Sequence, residues 1–421
     1  MGHNRASASV FRFRSQLVVL ALLMASADHI AANSRATSRE HALLKPLVQT
    51  GIDVYESMNS EPFAGKRIGL ITNQTGVDSD GRRTIDVLAG RKDLKLVALF
   101  SPEHGIGGDR DADVPNSSDE KTRVPIYSLY GAMRHPTDEM LKGIDVLVFD
   151  IQDAGVRFYT YVTTMAYCME AAAKHHIKFV VLDRPDPLGG EVIEGPMLDS
   201  DRKAFTGYFS MPARYAMTIG ELGNMFNAEN HIGADLEVVP LKNWSRSESY
   251  EETGLRWIPP SPNLRTVNEA FLYPGLEILQ AGGVSVGRGT ATPFEVLGAP
   301  WIHGGEFAVE LSKRKMLGVT FEAVQFTPNA EPYKQELCNG MKIHITDRHS
   351  FRAMHMGLEV AAALHLMYPE QFQLEKIISL LGSQSTIDRL KRGDAPEEVI
   401  SSWKAELDKF RQVRGKYLLY R

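Results

Sequence analysis

Four short apolar runs rich in β-branched residues, at 67–72, 94–100, 146–149 and 178–182, punctuate the first half of the chain. Between them, residues 84–88, 137–141 and 160–176 carry apolar positions at helical spacing. Runs this short and continuous predict strands buried on both faces. Their alternation with helices predicts an α/β fold with a doubly wound parallel sheet. Each run ends in a polar turn: Asn73-Gln74-Thr75-Gly76, Ser101-Pro102-Glu103-His104-Gly105, Asp150-Ile151-Gln152-Asp153-Ala154-Gly155 and Asp183-Arg184-Pro185-Asp186-Pro187. Ligands of such sheets sit beyond the carboxyl ends of the strands, so the four turns should converge on one crevice.

A fifth run, 236–241, closes this first domain near Trp244, which gives boundaries of 44–246. Residues 248–254 are polar and 258–263 proline-rich, the composition of a crossing between domains. A smaller α+β C-terminal domain, 255–421, should complete the cleft with a glycine-rich stretch at 282–289, a strand at 342–345, an alanine-rich helix at 354–367 and a charged helical tail. The 421-residue length agrees with two cores rather than one.

The first residues change the picture. Arg5, Arg12 and Arg14 precede an apolar run at 17–25 and the small-residue pattern Ala25-Ser26-Ala27. This reads as a signal peptide over 1–27, a mature start near Asp28, and export to the periplasm or the medium. The run is shorter than the roughly 18 residues of a spanning helix, so no stable membrane insertion is expected after cleavage. A net charge of −5 supplies no basic field for nucleic acid. Two cysteines, Cys168 and Cys338, give no support for a disulfide.

Several chemistries lack their motifs. The turn after the first strand has neither the GxGxxG nor the P-loop pattern, and no HExxH or CxxC occurs, so neither a cofactor nor a metal site is expected. Ser401-Ser402-Trp403-Lys404 matches SxxK without its companion motifs. Gly283-Val284-Ser285-Val286-Gly287 matches GxSxG, with Asp347 and His355 following in hydrolase order, but a loop follows where a nucleophile elbow needs a helix.

Carboxylates directly after parallel strands are the chemical signal. Glu103, Asp150, Asp153 and Asp183 all stand there, where burial can raise a pKa and make an acid. Glu103, in a tight turn beside His104, and Asp153 are the catalytic candidates; Asp150 suits pinning its turn. Gln152, Arg157 and Tyr159 add groups that can bond a sugar, although Arg157 equally fits an ion pair with Asp150 or Asp183. The second domain offers Asn263, Arg288, Thr290, Thr292 and Glu295.

Six strings carry a resemblance: Ser101-Pro102-Glu103-His104-Gly105, Ser128-Leu129-Tyr130-Gly131, FDIQDAGVRFYTY at 149–161, DRPDPLGG at 183–190, MTIGE at 217–221 and SVGRGTATPFE at 285–295. In these the chain resembles the exo-β-N-acetylmuramidases over nearly all of its mature length. The resemblance implies a Rossmann-like domain and a smaller one around a cleft, and release of terminal N-acetylmuramic acid (MurNAc) from peptidoglycan fragments such as MurNAc-GlcNAc saccharides. It carries a catalytic role to Glu103, as the acid that protonates the glycosidic oxygen. Arg157, Arg184 or Arg288 would hold the lactyl carboxylate, since arginine pairs bidentately with carboxylates. One string departs: Arg214-Tyr215-Ala216-Met217-Thr218 stands where the family has Arg-His-Gly-Met-Thr, and no role passes to Tyr215. The second catalytic group stays open between a nucleophile, a base and an Asp153 that orients the substrate's own acetamido group. Two rival functions remain: an exported two-domain binder of sugars or muropeptides, and a serine hydrolase using Ser285.

Overall fold

The strands form where the apolar runs predict them. In the computed structural model, which describes residues 47–58, 63–110 and 114–421, they are β1 (Arg67–Thr72), β2 (Lys95–Ser101), β3 (Ser117–Ser118), β4 (Pro125–Ser128), β5 (Val146–Asp150), β6 (Lys178–Leu182), β7 (Glu194–Met197), β8 (Pro212–Arg214), β9 (Leu236–Val239), β10 (Val296–Ala299), β11 (Val319–Phe326) and β12 (Cys338–Ile345). The signal-peptide segment lies outside the described residues. No helix among the described residues is long and apolar enough to cross a membrane.

A seven-stranded sheet takes the order β3-β4-β2-β1-β5-β6-β9 and is parallel except for the edge strand β3. The chain winds from β1 outward through β2 to β4, then returns to the other side of β1 for β5, β6 and β9. That reversal between β1 and β5 opens the crevice in which doubly wound sheets bind ligands. Every residue of β5 is buried, as is all of β1 after Arg67, which is why these strands read as continuous apolar runs. The short β4 was not among the expected strands: it has four residues and opens on a proline, a pattern too brief for periodicity to show.

The C-terminal part holds a three-stranded antiparallel sheet, β10-β12-β11, and the predicted alanine-rich helix, here Ala353–Met367. That helix packs against helix Val267–Gln280 at a glycine pair: a Cβ on Gly275 would meet the Ala353 carbonyl oxygen at 2.1 Å, and one on Gly357 the Gly275 oxygen at 2.4 Å. A hydrophobic core runs continuously from Phe149 under the first sheet to Phe410 in the C-terminal helices.

Two helices behind the sheet position the site. Helix Tyr161–Lys174 follows β5 and buries Tyr161, Val162, Met165, Ala166 and Met169; each fully buried large side chain of this kind contributes about 1.5–3 kcal/mol. Helix Ile219–Glu229 begins at a capping box in which Thr218 accepts from Glu221 N–H and the Glu221 carboxylate accepts from Thr218 N–H at 3.0 Å. The string Met217–Glu221, part of the family signature, is therefore a helix start.

Candidate active site

The four expected turns converge. Thr72 hydroxyl donates to the Asp150 carbonyl at 2.8 Å and Gln152 N–H to Thr75 Oγ1 at 2.9 Å, tying the β1 turn to the β5 turn. Gln152 Nε2 donates to the Pro185 carbonyl at 2.9 Å, tying β5 to β6. The β2 turn joins through Glu103, whose Oε2 accepts from Thr160 Oγ1 at 2.5 Å. The proline-rich crossing closes the crevice from the other side: Gln74 Nε2 donates to Pro259 O at 2.7 Å and Tyr161 OH to Pro260 O at 2.6 Å. Asn263 is buried three residues on.

Glu103 sits at the N-terminal end of helix Tyr161–Lys174. Thr160 is the N-cap residue, yet its side chain caps nothing in the helix; its hydroxyl serves Glu103 instead. Thr160 thereby fixes one oxygen of the Glu103 carboxyl at the helix start. His104, at φ +71°, bonds Arg110 O through Nδ1 at 2.8 Å and lines a cavity of about 680 Å³ beside the turn.

Asp153 is 6 % exposed. Its Oδ2 accepts from Tyr215 OH and from Gly155 N–H, the latter at 2.7 Å, while Oδ1 is buried with no partner. Burial pushes its pKa up to about 6, against the lowering effect of the Tyr215 and backbone hydrogen bonds. Around it stand Tyr159, Tyr161 and Tyr273, packed edge to face with ring centroids 4.8 and 5.8 Å from Tyr159. Burial raises all three phenols, and the charges of Glu103 and Asp153 both add to the rise at Tyr161 and Tyr273. Buried polar atoms without partners collect on the same turns: Asn73 Nδ2, Ser101 Oγ, Gln152 Oε1, Asp153 Oδ1, Tyr159 OH and Asp186 Oδ2. A native fold leaves few such atoms, and a polar ligand such as a sugar would satisfy them.

Four candidates are enclosed by protein partners. Asp150 and Arg184 form a buried ion pair at 2.6 Å, with Thr84 Oγ1 on the other carboxylate oxygen and Val77 O on the guanidinium. Asp183 accepts from Thr218 and Tyr420 hydroxyls and from the Gly220 and Arg184 amides, so it joins β6 to the next helix and the chain end. Arg157, fully buried, pairs with neither Asp150 nor Asp183: it donates to the carbonyls of Pro196, Met211, Leu380 and Leu381. Burial pushes its pKa down to about 9, still charged at neutral pH. Enclosed by protein acceptors and donors, these four hold the frame rather than a sugar.

From the second half of the chain, Arg288 bonds Glu277 at 2.7 Å and Gln280 at 3.0 Å, beside Tyr273. Glu295 accepts from Asn268 Nδ2 at 2.7 Å, and Thr290 donates to Gly287 O at 2.7 Å. The serine-hydrolase reading loses its parts. Ser285 is buried in a backbone bridge to Gly298, Asp347 bonds Ser350, and His355 faces Glu359 at 3.5 Å.

Sequence reasoning missed Thr160, Asp186, Tyr215 and Tyr273. Asp186 was visible in the DRPDPLGG string, whereas Tyr273 lies in a helix far along the chain and only the fold brings it here.

Known proteins resemble this chain along both of its halves. Residues 68–268 match the family described as exo-β-N-acetylmuramidase NamZ, N-terminal, and residues 271–420 match its C-terminal counterpart. The peptidoglycan β-N-acetylmuramidase NamZ of Bacillus subtilis is 44 % identical over 395 residues, which are 93 % of this chain and 95 % of that protein. Two crystal structures of DUF1343 family proteins from Bacteroides fragilis superpose with TM-scores of 0.83 and 0.73 at 38 % and 31 % identity. Each covers 89 % of this chain and 99 % of its own. With both halves matched in order and the carboxylate crevice in place, this chain belongs to the NamZ family of exo-β-N-acetylmuramidases.

Proposed function

We propose that this protein is an exo-acting glycoside hydrolase that removes terminal MurNAc from peptidoglycan fragments during cell-wall turnover, with Glu103 as the general acid. The observation that carries the reading is two carboxyl groups of different character on neighbouring strand-end turns, both acting on Tyr161 and Tyr273. Glu103 is half-buried at a helix N-terminus with one oxygen uncommitted, and Asp153 is buried with one oxygen fixed and the other bare. Glycoside hydrolysis asks for such a pair and for no redox or phosphate chemistry.

Glu103 delivers its proton to the glycosidic oxygen as the bond to the anomeric carbon breaks, and Thr160 holds the carboxyl in place. Asp153 suits substrate assistance. Its bare Oδ1 accepts the acetamido N–H of MurNAc and takes up that proton as the acetamido oxygen closes on the anomeric carbon, a role that its raised pKa supports. We assign the enzyme to the periplasm or the medium, because residues 1–27 read as a signal peptide and peptidoglycan lies outside the cytoplasm. N-terminal sequencing of the secreted protein should begin near Asp28.

The test is release of MurNAc from a MurNAc-GlcNAc disaccharide and from a nitrophenyl MurNAc glycoside by wild type and by folded Glu103→Gln. Loss of general acid catalysis lowers the disaccharide rate by about 10²–10⁴-fold. The nitrophenolate, a good leaving group, needs less protonation and should lose less. Saturable binding without release by wild type would replace hydrolysis with sugar binding as the function.

A further inference from the structure

Asp186 lies in the turn after β6 and is 3 % exposed. Its Oδ1 accepts from Leu188 N–H at 2.9 Å, and its Oδ2 is buried without a partner. Gly155 separates it from Asp153. The Gly155 amide donates to Asp153 Oδ2 at 2.7 Å, and a Cβ on Gly155 would stand 2.5 Å from Asp186 Oδ1. The φ of +76° at Gly155 lets the backbone pass between the two carboxyls.

Each carboxyl therefore has one anchored oxygen and one bare oxygen, on either side of a single glycine. The charged and titratable groups around them divide. Tyr215, Tyr161 and Tyr273 face Asp153, and Tyr215 also feels Asp186. Arg214, Arg246 and Arg414 face Asp186. None of these arginines bonds it. Arg214 is held by Glu194 and Leu188 O, Arg246 by Glu221, Gly190 O and Ala216 O, and Arg414 by Ala216 O. Two buried carboxyls on either side of one glycine, with no cation bonded to either, oppose each other's ionisation, and the unbonded charges of Arg214 and Arg246 offset only part of the burial at Asp186.

We propose that Asp153 and Asp186 form one acid–base couple carrying a single negative charge, with the charge on Asp153 and the proton on Asp186. Asp186 is thus a positioning residue that acts through Asp153, and the inference rests on the role given to Asp153 above. Burial raises both groups, Asp153 to about 6 and Asp186 to about 7; at Asp186 the charges of Arg214 and Arg246 work against the rise and that of Asp153 adds to it. Above that range Asp186 ionises and a second, uncompensated charge enters the dry pocket, which disfavours closing that pocket over a substrate. The alkaline limb of the rate profile belongs to Asp186.

The experiment measures kcat and KM on the MurNAc-GlcNAc disaccharide from pH 5 to 9 for wild type and Asp186→Asn. In parallel, the protonated-carboxyl stretch is titrated by infrared spectroscopy. Wild type should lose kcat in a one-proton limb near pH 7. Asparagine keeps an acceptor for Leu188 N–H and, like the protonated acid, carries no charge, so kcat at pH 6 falls by no more than about tenfold and the alkaline limb disappears. A purely structural Asp186 would lower activity at every pH with the limb intact, and an intact limb overturns the proposal. Should Asp186→Asn not fold, Asp153→Asn supplies the second reading. Removing the neighbouring charge must move the infrared midpoint of the remaining carboxyl downward, and an unchanged midpoint overturns the couple. If wild type releases no MurNAc at any pH, the hydrolase reading fails on its own, while the infrared titration still decides whether the couple exists.

Discussion

Thr160 Oγ1 donates to Glu103 Oε2 at 2.5 Å across 57 residues of sequence, from the N-cap position of a helix that makes no use of that hydroxyl itself. A threonine at an N-cap ordinarily serves the helix amides, at about 0.5–2 kcal/mol. Here it orients a carboxyl group.

Thr160→Val separates the two roles. Because the hydroxyl caps nothing, the melting temperature should move by only about a degree or two, while kcat on the disaccharide falls by about tenfold or more as Glu103 loses its fixed rotamer. Steady-state kinetics and thermal unfolding on the same preparation check this, and a large stability loss at unchanged kcat would return Thr160 to an ordinary cap.

Burial raises the Asp153 pKa, and Tyr215 works against that rise. Its hydroxyl donates to Oδ2, and donation to the charged form lowers a carboxyl pKa. Tyr215→Phe removes that donor, so the Asp153 pKa must rise from about 6 and the acid limb of kcat must shift to higher pH. An acid limb that stays in place or moves down would show that Asp153 does not govern it.

The Asp150–Arg184 pair behaves as a buried structural bridge. Arg184→Met strands a buried carboxylate and should cost about 3–5 kcal/mol in denaturant unfolding. Asp150→Asn combined with Arg184→Met should recover part of that loss, because the stranded charge is gone. Full stability in Arg184→Met with abolished sugar binding would instead put Arg184 in the substrate site.

Stability should fall as pH rises through neutrality. Asp153, Asp183 and Asp186 are held above the ordinary carboxyl value by burial, at about 6, 7 and 7. The folded state therefore binds more protons than the unfolded chain from about pH 4 upward. The contribution of each group is whole below about pH 4 and lost as pH passes its folded value. Asp119 and Asp145, lowered to about 2 by their arginine partners despite some burial, act only below that window. Thermal unfolding between pH 5 and 8 should show a declining melting temperature, with a shallower slope in Asp183→Asn. A flat or rising curve would contradict the burial of these charges.

The sequence by itself determined the parallel strands, the crevice at their carboxyl ends and the turn that holds Glu103. These are local: continuous apolar runs, turn residues and helical spacing fall within a few positions of one another. Its motif strings also named the family. Which carboxylates face a ligand was decided only by the tertiary structure. Asp150 and Asp183 sit after strands just as Asp153 does, yet Arg184 closes on one from 34 residues away and Tyr420 on the other from 237. Arg157 looked equally suited to a sugar until Leu380 and Leu381 brought their carbonyls to it across more than two hundred residues. Tyr273 reaches the site only because its helix packs there. A carboxylate or guanidinium is structural or functional according to which groups fill its hydrogen bonds, and those groups come together only when distant segments pack.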